Sequence, residues 1–498
     1  MLLLVFTGCV YPQTKTAPFE VTRSSPSSSS VSDETMTPVP IYSPLPPQAL
    51  LRLNQLAMEE IRTSPIRSAS IIAVHHIRLD EHKLFDEILN LPPSRIPPLV
   101  IQLTNLNSVK IITDQLLSSD YGLIWTGHIQ NDPTSSALFR VDLTNRTTSG
   151  EVRIEEKVFE IRPGQEKSYG IFVIDTRKLP PDHSTDWNNT DPGKRVPREL
   201  FPTGREVHSL SLFPSVIDVM VLYTQNAINA NPLRNIADHI CAAMVQIEKS
   251  FIDSGVTNAK LRLVHHQQIT FPESGNIEQD TINFRDPSYP SRAGIQDYFP
   301  LRTTHGADLM NLWVGDGNTC GDAEAIVQPG GSGVLAFSVV RRNCATTGLA
   351  FAHELGHLMG TYHDRFNAQA GDSPSRNYGY TLPEKKWREI MGLNRKDCNP
   401  DCNRLLYWSN PDKSYPPPPV LGDAMGRPDI VLRTDCTDRT ADPTLGTKCD
   451  GPANNVVTLN NNAETVAKFT ASGMLGNVSC GPVGAVTTPV PPAGLRIQ

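Results

Sequence analysis

The stretch His353-Glu354-Leu355-Gly356-His357-Leu358-Met359-Gly360-Thr361-Tyr362-His363-Asp364 constrains this chain more than any other. It reads H-E-x-x-H-x-x-G-x-x-H-D. On an α-helix, residues four apart project from one face a turn apart, so the imidazoles of His353 and His357 can meet at one ion. Their spacing suits Nε2 atoms at about 2.0–2.1 Å from Zn²⁺. Glu354 lies beside them, where a carboxylate can hold a water molecule. Gly360 can end the helix with a positive φ, which a Cβ makes costly. The chain then turns back and offers His363 as a third ligand. Three histidines leave one position open, the arrangement of a catalytic rather than a structural zinc site. Ala350, Phe351, Ala352, Leu355, Leu358 and Met359 supply the apolar remainder of a buried helix.

This extended motif resembles the metzincin zinc endopeptidases, and its His-Asp ending is most like the adamalysin/reprolysin-like branch. The wider context is similar to bacterial peptidyl-Asp metalloendopeptidases. It includes Ala336-Phe337-Ser338-Val339-Val340, Cys344-Ala345-Thr346 and Phe351-Ala352-His353-Glu354. The resemblance covers about residues 214–472. It implies an α/β (α+β) catalytic domain with a twisted, mostly parallel sheet and a zinc-binding active-site helix. It also implies a tight turn beneath the metal carrying a methionine, for which Met391 in Arg388-Glu389-Ile390-Met391-Gly392 is the candidate. Some metzincins place a tyrosine ligand two residues after that methionine; here the position is Leu393, so none is expected.

The rest of the chain narrows the class further. With 498 residues, two or three domains are expected. The net charge is −7 and there is no long basic run, which argues against nucleic acid as a partner. No apolar run approaches the roughly 20 residues that span a bilayer. Residues 1–9 are a short apolar run ending in Gly8-Cys9, similar to the end of a bacterial lipoprotein signal, which makes Cys9 a candidate lipid anchor and the location extracytoplasmic. The other eight cysteines all follow residue 240, as expected of disulfides in an oxidising compartment. Cys320–Cys344 and Cys436–Cys449 are the preferred pairs, Cys398–Cys402 is a third, and Cys241 reads as an ordinary buried thiol.

Residues 10–47, rich in Ser, Thr and Pro, read as a disordered tether. Residues 48–175 form the next unit, with helical periodicity over 48–93 and short strands from about 98 to 175. The series Trp125-Thr126-Gly127, Gly150-Glu151-Val152-Arg153-Ile154, Ile161-Arg162-Pro163 and Leu179-Pro180-Pro181 resembles the β-rich propeptide of secreted metalloproteases; a β-sandwich binding module is the alternative. Residues 176–213 read as a linker with a processing site at Lys194-Arg195. The catalytic region, 214–472, alternates strands and helices and carries an irregular insertion at 411–455. Its last helix opens at Asn461, and 473–498 reads as a flexible tail.

The implied chemistry is peptide-bond hydrolysis of protein or peptide substrates, with one catalytic Zn²⁺ on His353, His357 and His363. Nothing in the sequence calls for structural calcium. Glu354 is the general base and Asp364 orients the ligand set. An extended substrate would add as a strand near Ala336–Val340. Similarity to peptidyl-Asp endopeptidases implies cleavage before acidic residues, which requires a cation in the pocket; Arg341, Arg342 and Arg376 are candidates. No cysteine lies between residues 10 and 240. Latency would therefore rest on backbone or carboxylate ligation, or on steric cover by residues 48–200. The rival readings are another zinc amide hydrolase and a non-catalytic surface binding protein on the same scaffold.

Overall fold

Val216 to Tyr223 is apolar on both faces apart from Asp218, the pattern of a strand covered on each side. The computed structural model makes this stretch an interior strand, second in a five-stranded sheet. It describes residues 37–44, 70–104, 107–164, 168–183, 213–231, 234–295, 297–323, 335–364, 377–394, 398, 401–417, 420–428, 452–471, 473, 478 and 480.

The N-terminal part is a ten-stranded sheet formed by β1 (Val39–Pro40), β2 (Tyr42–Pro44), β3 (Ile71–Leu79), β4 (Leu99–Gln102), β5 (Ser108–Ser119), β6 (Gly122–Ile129), β7 (Asp132–Asp142), β8 (Thr147–Ile154), β9 (Lys157–Pro163) and β10 (Ser168–Asp175). The order is β1-β4-β5-β6-β7-β8-β9-β10-β3-β2. β1 and β2 are consecutive in the chain yet pair with opposite ends of the sheet, so residues 39–44 bridge its two edges and close it. Ile41, between them, is fully buried. Two expectations are corrected here. The end of the segment read as a tether is strand, and Ile71–Leu79, assigned to a helical stretch, is a strand antiparallel to β10. Its β-branched run Ile71-Ile72-Ala73-Val74 favours that state. The leucine-rich start of the helical stretch and Lys194-Arg195 lie outside the described residues.

The C-terminal sheet runs β12 (Ala259–Gln268), β11 (Ser215–Tyr223), β13 (Leu309–Val314), β15 (Phe337–Arg341), β14 (Gly321–Ala323). The first three pairings are parallel, and β14 joins β15 antiparallel at the edge. Val219 and Val221 face one core with the long helix Ile236–Ser254, the motif helix Ala350–Leu358 and the last helix Asn455–Val466. Met220 and Leu222 face a second core with Phe284 of helix Ile277–Arg285 and Tyr298. The last helix begins at Asn455, capped by the Asn454 side chain, so Asn461 lies inside it rather than opening it. Within the expected insertion, Asn410–Tyr415 and Asp423–Met425 pair as antiparallel strands.

Described residues from Pro38 onward form one unit. Tyr121, Ile124 and Leu138 of the N-terminal sheet join the core of the long helix. Around them lie buried ion pairs: Arg140 to Asp238 at 2.8 Å, and Arg234 to Glu160, which also holds Arg162. Arg153 donates to the carbonyls of Thr346 and Thr347 at 3.0 and 3.1 Å, just before the motif helix.

Disulfides join Cys320 to Cys344 and Cys398 to Cys402. Cys241 is paired with Cys480, so it is not a free thiol, and residue 480 of the expected loose tail is fixed to the long helix. A pairing between positions 239 residues apart leaves no local signal. Cys436 and Cys449 lie outside the described residues.

Candidate active site

The motif helix runs from Ala350 to Leu358, with every residue buried. It lies close on its neighbours because position 356 has no side chain: a Cβ there would meet Trp408 at 2.7 Å and Met391 Sδ at 2.8 Å. Gly360 turns the chain at φ 93°, and the short strand β16 (Tyr362–Asp364) brings His363 back. His363 Nε2 then stands 3.1 Å from His353 Nε2 and 3.0 Å from His357 Nε2.

Hydrogen bonds fix which nitrogens carry protons. His353 Nδ1 donates to Ile390 O at 2.7 Å and His357 Nδ1 to Thr361 O at 2.9 Å, since a carbonyl only accepts. Both Nε2 atoms therefore present bare lone pairs to one point. Burial pushes all three imidazoles towards the neutral form, His357 down to about 4 and the other two well below the usual value. Neutral imidazoles with converging lone pairs repel one another unless a cation lies between them, so this donor set fits a zinc ion. The corners of a tetrahedron with about 2.0–2.1 Å bonds lie about 3.4 Å apart, close to what these nitrogens show.

Met391 is fully buried below the helix, in the turn that supplies the Ile390 carbonyl. Asp364 Oδ2 accepts from Leu393 N at 2.9 Å and so ties the third histidine's strand to that turn. Glu354 is buried beside the cluster, and its Oε2 has no hydrogen-bond partner among the described residues. Burial, and then the Asp322 carboxylate, push its carboxyl well above the usual range. Its other flank is the edge strand β14: a Cβ on Gly321 would lie 2.2 Å from Glu354 Oε1.

A fourth imidazole enters the cluster. His183 Nε2 is 2.8 Å from His353 Nε2 and 3.7 Å from Glu354 Oε1, and the four histidines together form one buried group. The residues leading to it lie on β14, where Cys320 N donates to Pro181 O at 2.9 Å and Gly321 N to Asp182 O at 3.3 Å. Asp182 Oδ2 meets Arg388 Nη1 at 2.7 Å and its Oδ1 meets Arg404 Nη1 at 3.0 Å. Burial alone would raise this carboxyl, but Arg388, Arg404 and His183 outweigh it and hold it below the usual range. Arg388 and Arg404 are register partners in adjacent parallel strands, Trp387–Arg388 and Asn403–Arg404.

Sequence reasoning singled out none of these four residues by role. His183 stands alone in a Pro-rich stretch, and Arg388 and Arg404 become neighbours only through strand pairing. The arginines it did name serve elsewhere. Arg342 is fully buried and donates to the carbonyls of Ala227, Ile228 and Arg234. Arg341 reaches Gly317 O at 3.3 Å and Asp316 at 3.9 Å. Arg376 lies outside the described residues. The stretch Ala336–Val340 is not an edge either; its strand β15 is covered by β13 and β14, and β14 is the edge.

Residues 214–404 match the family model Reprolysin_5, metallo-peptidase family M12. The chain is 29% identical over 299 residues to the peptidyl-Asp metalloendopeptidase of Stenotrophomonas maltophilia (strain R551-3), covering 58% of this chain and 66% of that one. It is 28% identical over 285 residues to the protein of the same name from Xanthomonas campestris pv. campestris, covering 57% and 64%. Over 74 residues it is 40% identical to that of Pseudomonas fragi, covering 15% and 49%. The chain thus spans just under two thirds of the length of the Stenotrophomonas and Xanthomonas relatives.

Proposed function

We propose that this chain, whose residues 214–404 match the model of metallo-peptidase family M12, is an exported zinc endopeptidase made as a proenzyme. The observation that carries this reading is the convergence of three imidazole nitrogens beside a buried Glu354 oxygen that has no partner among the described residues. A zinc ion there would supply a Lewis acid for the scissile carbonyl and lower the pKa of water towards about 7. Glu354 takes the proton of the attacking water and passes it to the leaving amine. Ile390 O and Thr361 O keep His353 and His357 oriented, and Asp364 holds the Met391 turn in place.

The relatives' shared name, peptidyl-Asp metalloendopeptidase, supports a preference for cleavage at acidic residues. Residues 39–183 act as the pro-part, docked through the Glu160 and Asp238 ion pairs. Disulfides support an oxidising location outside the cytoplasm. No helix among the described residues is long and apolar enough to cross a membrane, and Cys9 as a lipid anchor belongs to the same proposal. The test is hydrolysis of denatured casein after release of the pro-part, which phenanthroline should abolish and added zinc restore. Hydrolysis that persists with the metal stripped would reject the reading.

A further inference from the structure

We infer that Asp182 and His183 together form a two-point plug of the active site: His183 supplies a fourth nitrogen to the metal, while Asp182 fills a two-arginine pocket that otherwise receives the acidic side chain of a substrate. The inference rests on the function proposed above. It was not foreseen from the absence of a cysteine, which left only backbone, carboxylate or steric inhibition.

The nitrogen side of the plug is geometric. His183 Nε2 lies 2.8 Å from His353 Nε2, slightly closer than the 3.0 and 3.1 Å of the other ligand pairs. Four converging imidazoles close a tetrahedral site, and a closed site has no position for substrate. Yet the closing ligand comes from the docked N-terminal part, 170 residues before His353, and not from the catalytic domain. Glu354, which a purely structural metal would not need, is 3.7 Å from the same His183 nitrogen. His183 thus stands where a substrate carbonyl and water would have to be.

The carboxylate side rests on a separate observation. Arg388 and Arg404 face each other in register, and like charges opposite one another in a sheet repel. Both side chains are mostly buried; Gly392 O accepts from each, Cys402 O from Arg388 and Gly348 O from Arg404, while Arg404 Nε has no hydrogen-bond partner among the described residues. An anion between them removes the repulsion, and Asp182 provides one oxygen to each. Asp182 directly precedes the residue on the metal, and its carbonyl accepts from Gly321 on the edge strand. A substrate residue flanking the scissile bond has the same neighbours: metal on one side, edge strand on the other. The pocket therefore selects a carboxylate, and the chain's own Asp182 marks it.

The test uses the full chain loaded with Co²⁺ and read first by visible absorption, not turnover. Wild-type spectra should be unchanged by azide across neutral pH, because no coordination position is open. His183→Ala should show a new azide-dependent band, and Asp182→Asn, which keeps the imidazole, a weaker response than His183→Ala. Equal azide response in the wild type and His183→Ala would overturn the plug while leaving the metal centre standing. Failure of the wild type to take up cobalt would overturn the plug together with the zinc reading. The pocket is tested in the Asp182→Ala/His183→Ala chain on matched peptides with Asp or Asn after the cut. Adding Arg388→Gln should lower kcat/KM for the Asp peptide by about 10- to 100-fold, as expected for a lost charge-assisted hydrogen bond, and barely change the Asn peptide. An equal fall on both peptides would overturn the pocket.

Discussion

Gly321 on the edge strand lies so close to Glu354 that a Cβ there would sit 2.2 Å from Oε1 and 2.8 Å from Cγ. The backbone of β14 is thus the wall that holds the proposed base. In Gly321→Ala the carboxylate must move, because the strand is fixed through β15 and the Cys320–Cys344 disulfide. Displacing a reacting group by about 1 Å costs on the order of 100-fold in rate. In the unplugged Asp182→Ala/His183→Ala background we expect kcat to fall by about that much, with KM and zinc content little changed. Wild-type kcat in the alanine variant would show that the carboxylate's position is not what limits turnover.

Glu354→Gln keeps the shape of the side chain and removes its basicity. General-base contributions are about 10²- to 10⁴-fold, so kcat should drop within or beyond that range while zinc still binds one to one. Zinc stoichiometry and casein turnover, measured on one preparation with Glu354 intact or replaced in the unplugged Asp182→Ala/His183→Ala background, separate the two effects. A variant turning over like wild type would dismiss Glu354 as the base.

The N-terminal sheet is held to the catalytic part by Glu160, whose carboxylate lies between Arg162 and Arg234. All three are nearly fully buried. Glu160→Ala leaves two buried guanidinium groups without it, and breaking a buried pair in this way typically costs about 3–5 kcal/mol. Urea denaturation should show a loss of that size. A loss below about 1 kcal/mol, the range of exposed pairs, would mean that water reaches this cluster.

The described residues separate what a sequence shows locally from what only folding brings together. His353, His357, Gly360 and His363 are legible because helix geometry and one glycine turn fix their relation within a dozen positions. Strands β6, β7, β9, β10, β11 and β13 are legible from runs such as Val219-Met220-Val221-Leu222. Ile71–Leu79 is misread because a strand partnered by β10 shares its apolar content with the leucine-rich sequence before it. His183 and His353 meet across 170 residues, and Cys241 meets Cys480 across 239. Arg388 and Arg404 become one pocket only through parallel register. Such relations depend on which strand pairs with which, and no spacing in the chain encodes that.

The Cys241–Cys480 bond closes a loop long enough to matter for stability. Cross-linking restricts the unfolded chain more as the loop grows, and removing such a bond typically costs about 2–5 kcal/mol. Cys480→Ser should lower the melting temperature of the oxidised protein and make it insensitive to reduction at this pair. Mass spectrometry of the non-reduced digest gives an independent reading. Finding Cys241 alkylated in the native, oxidised protein would refute the pairing.

Asp308 offers a pH test away from the metal. Burial pushes its carboxyl up from 3.8 to about 6, although the N–H groups of Asp218 and Thr470 donate to it at 2.9 and 3.1 Å. A carboxyl whose pKa is raised on folding binds more protons in the native state than in the unfolded one. Its contribution is therefore greatest below about pH 4 and is lost as the pH climbs through about 6. Asp308→Asn gives up one acceptor oxygen but has no charge to bury at any pH. The melting temperature of the wild type minus that of Asp308→Asn should fall steadily between those two values and level off above them. Histidine titration at the metal site is common to both proteins and drops out of the difference. A difference that rises with pH would mean that the two N–H donors outweigh burial and that Asp308 is stabilised in its charged form.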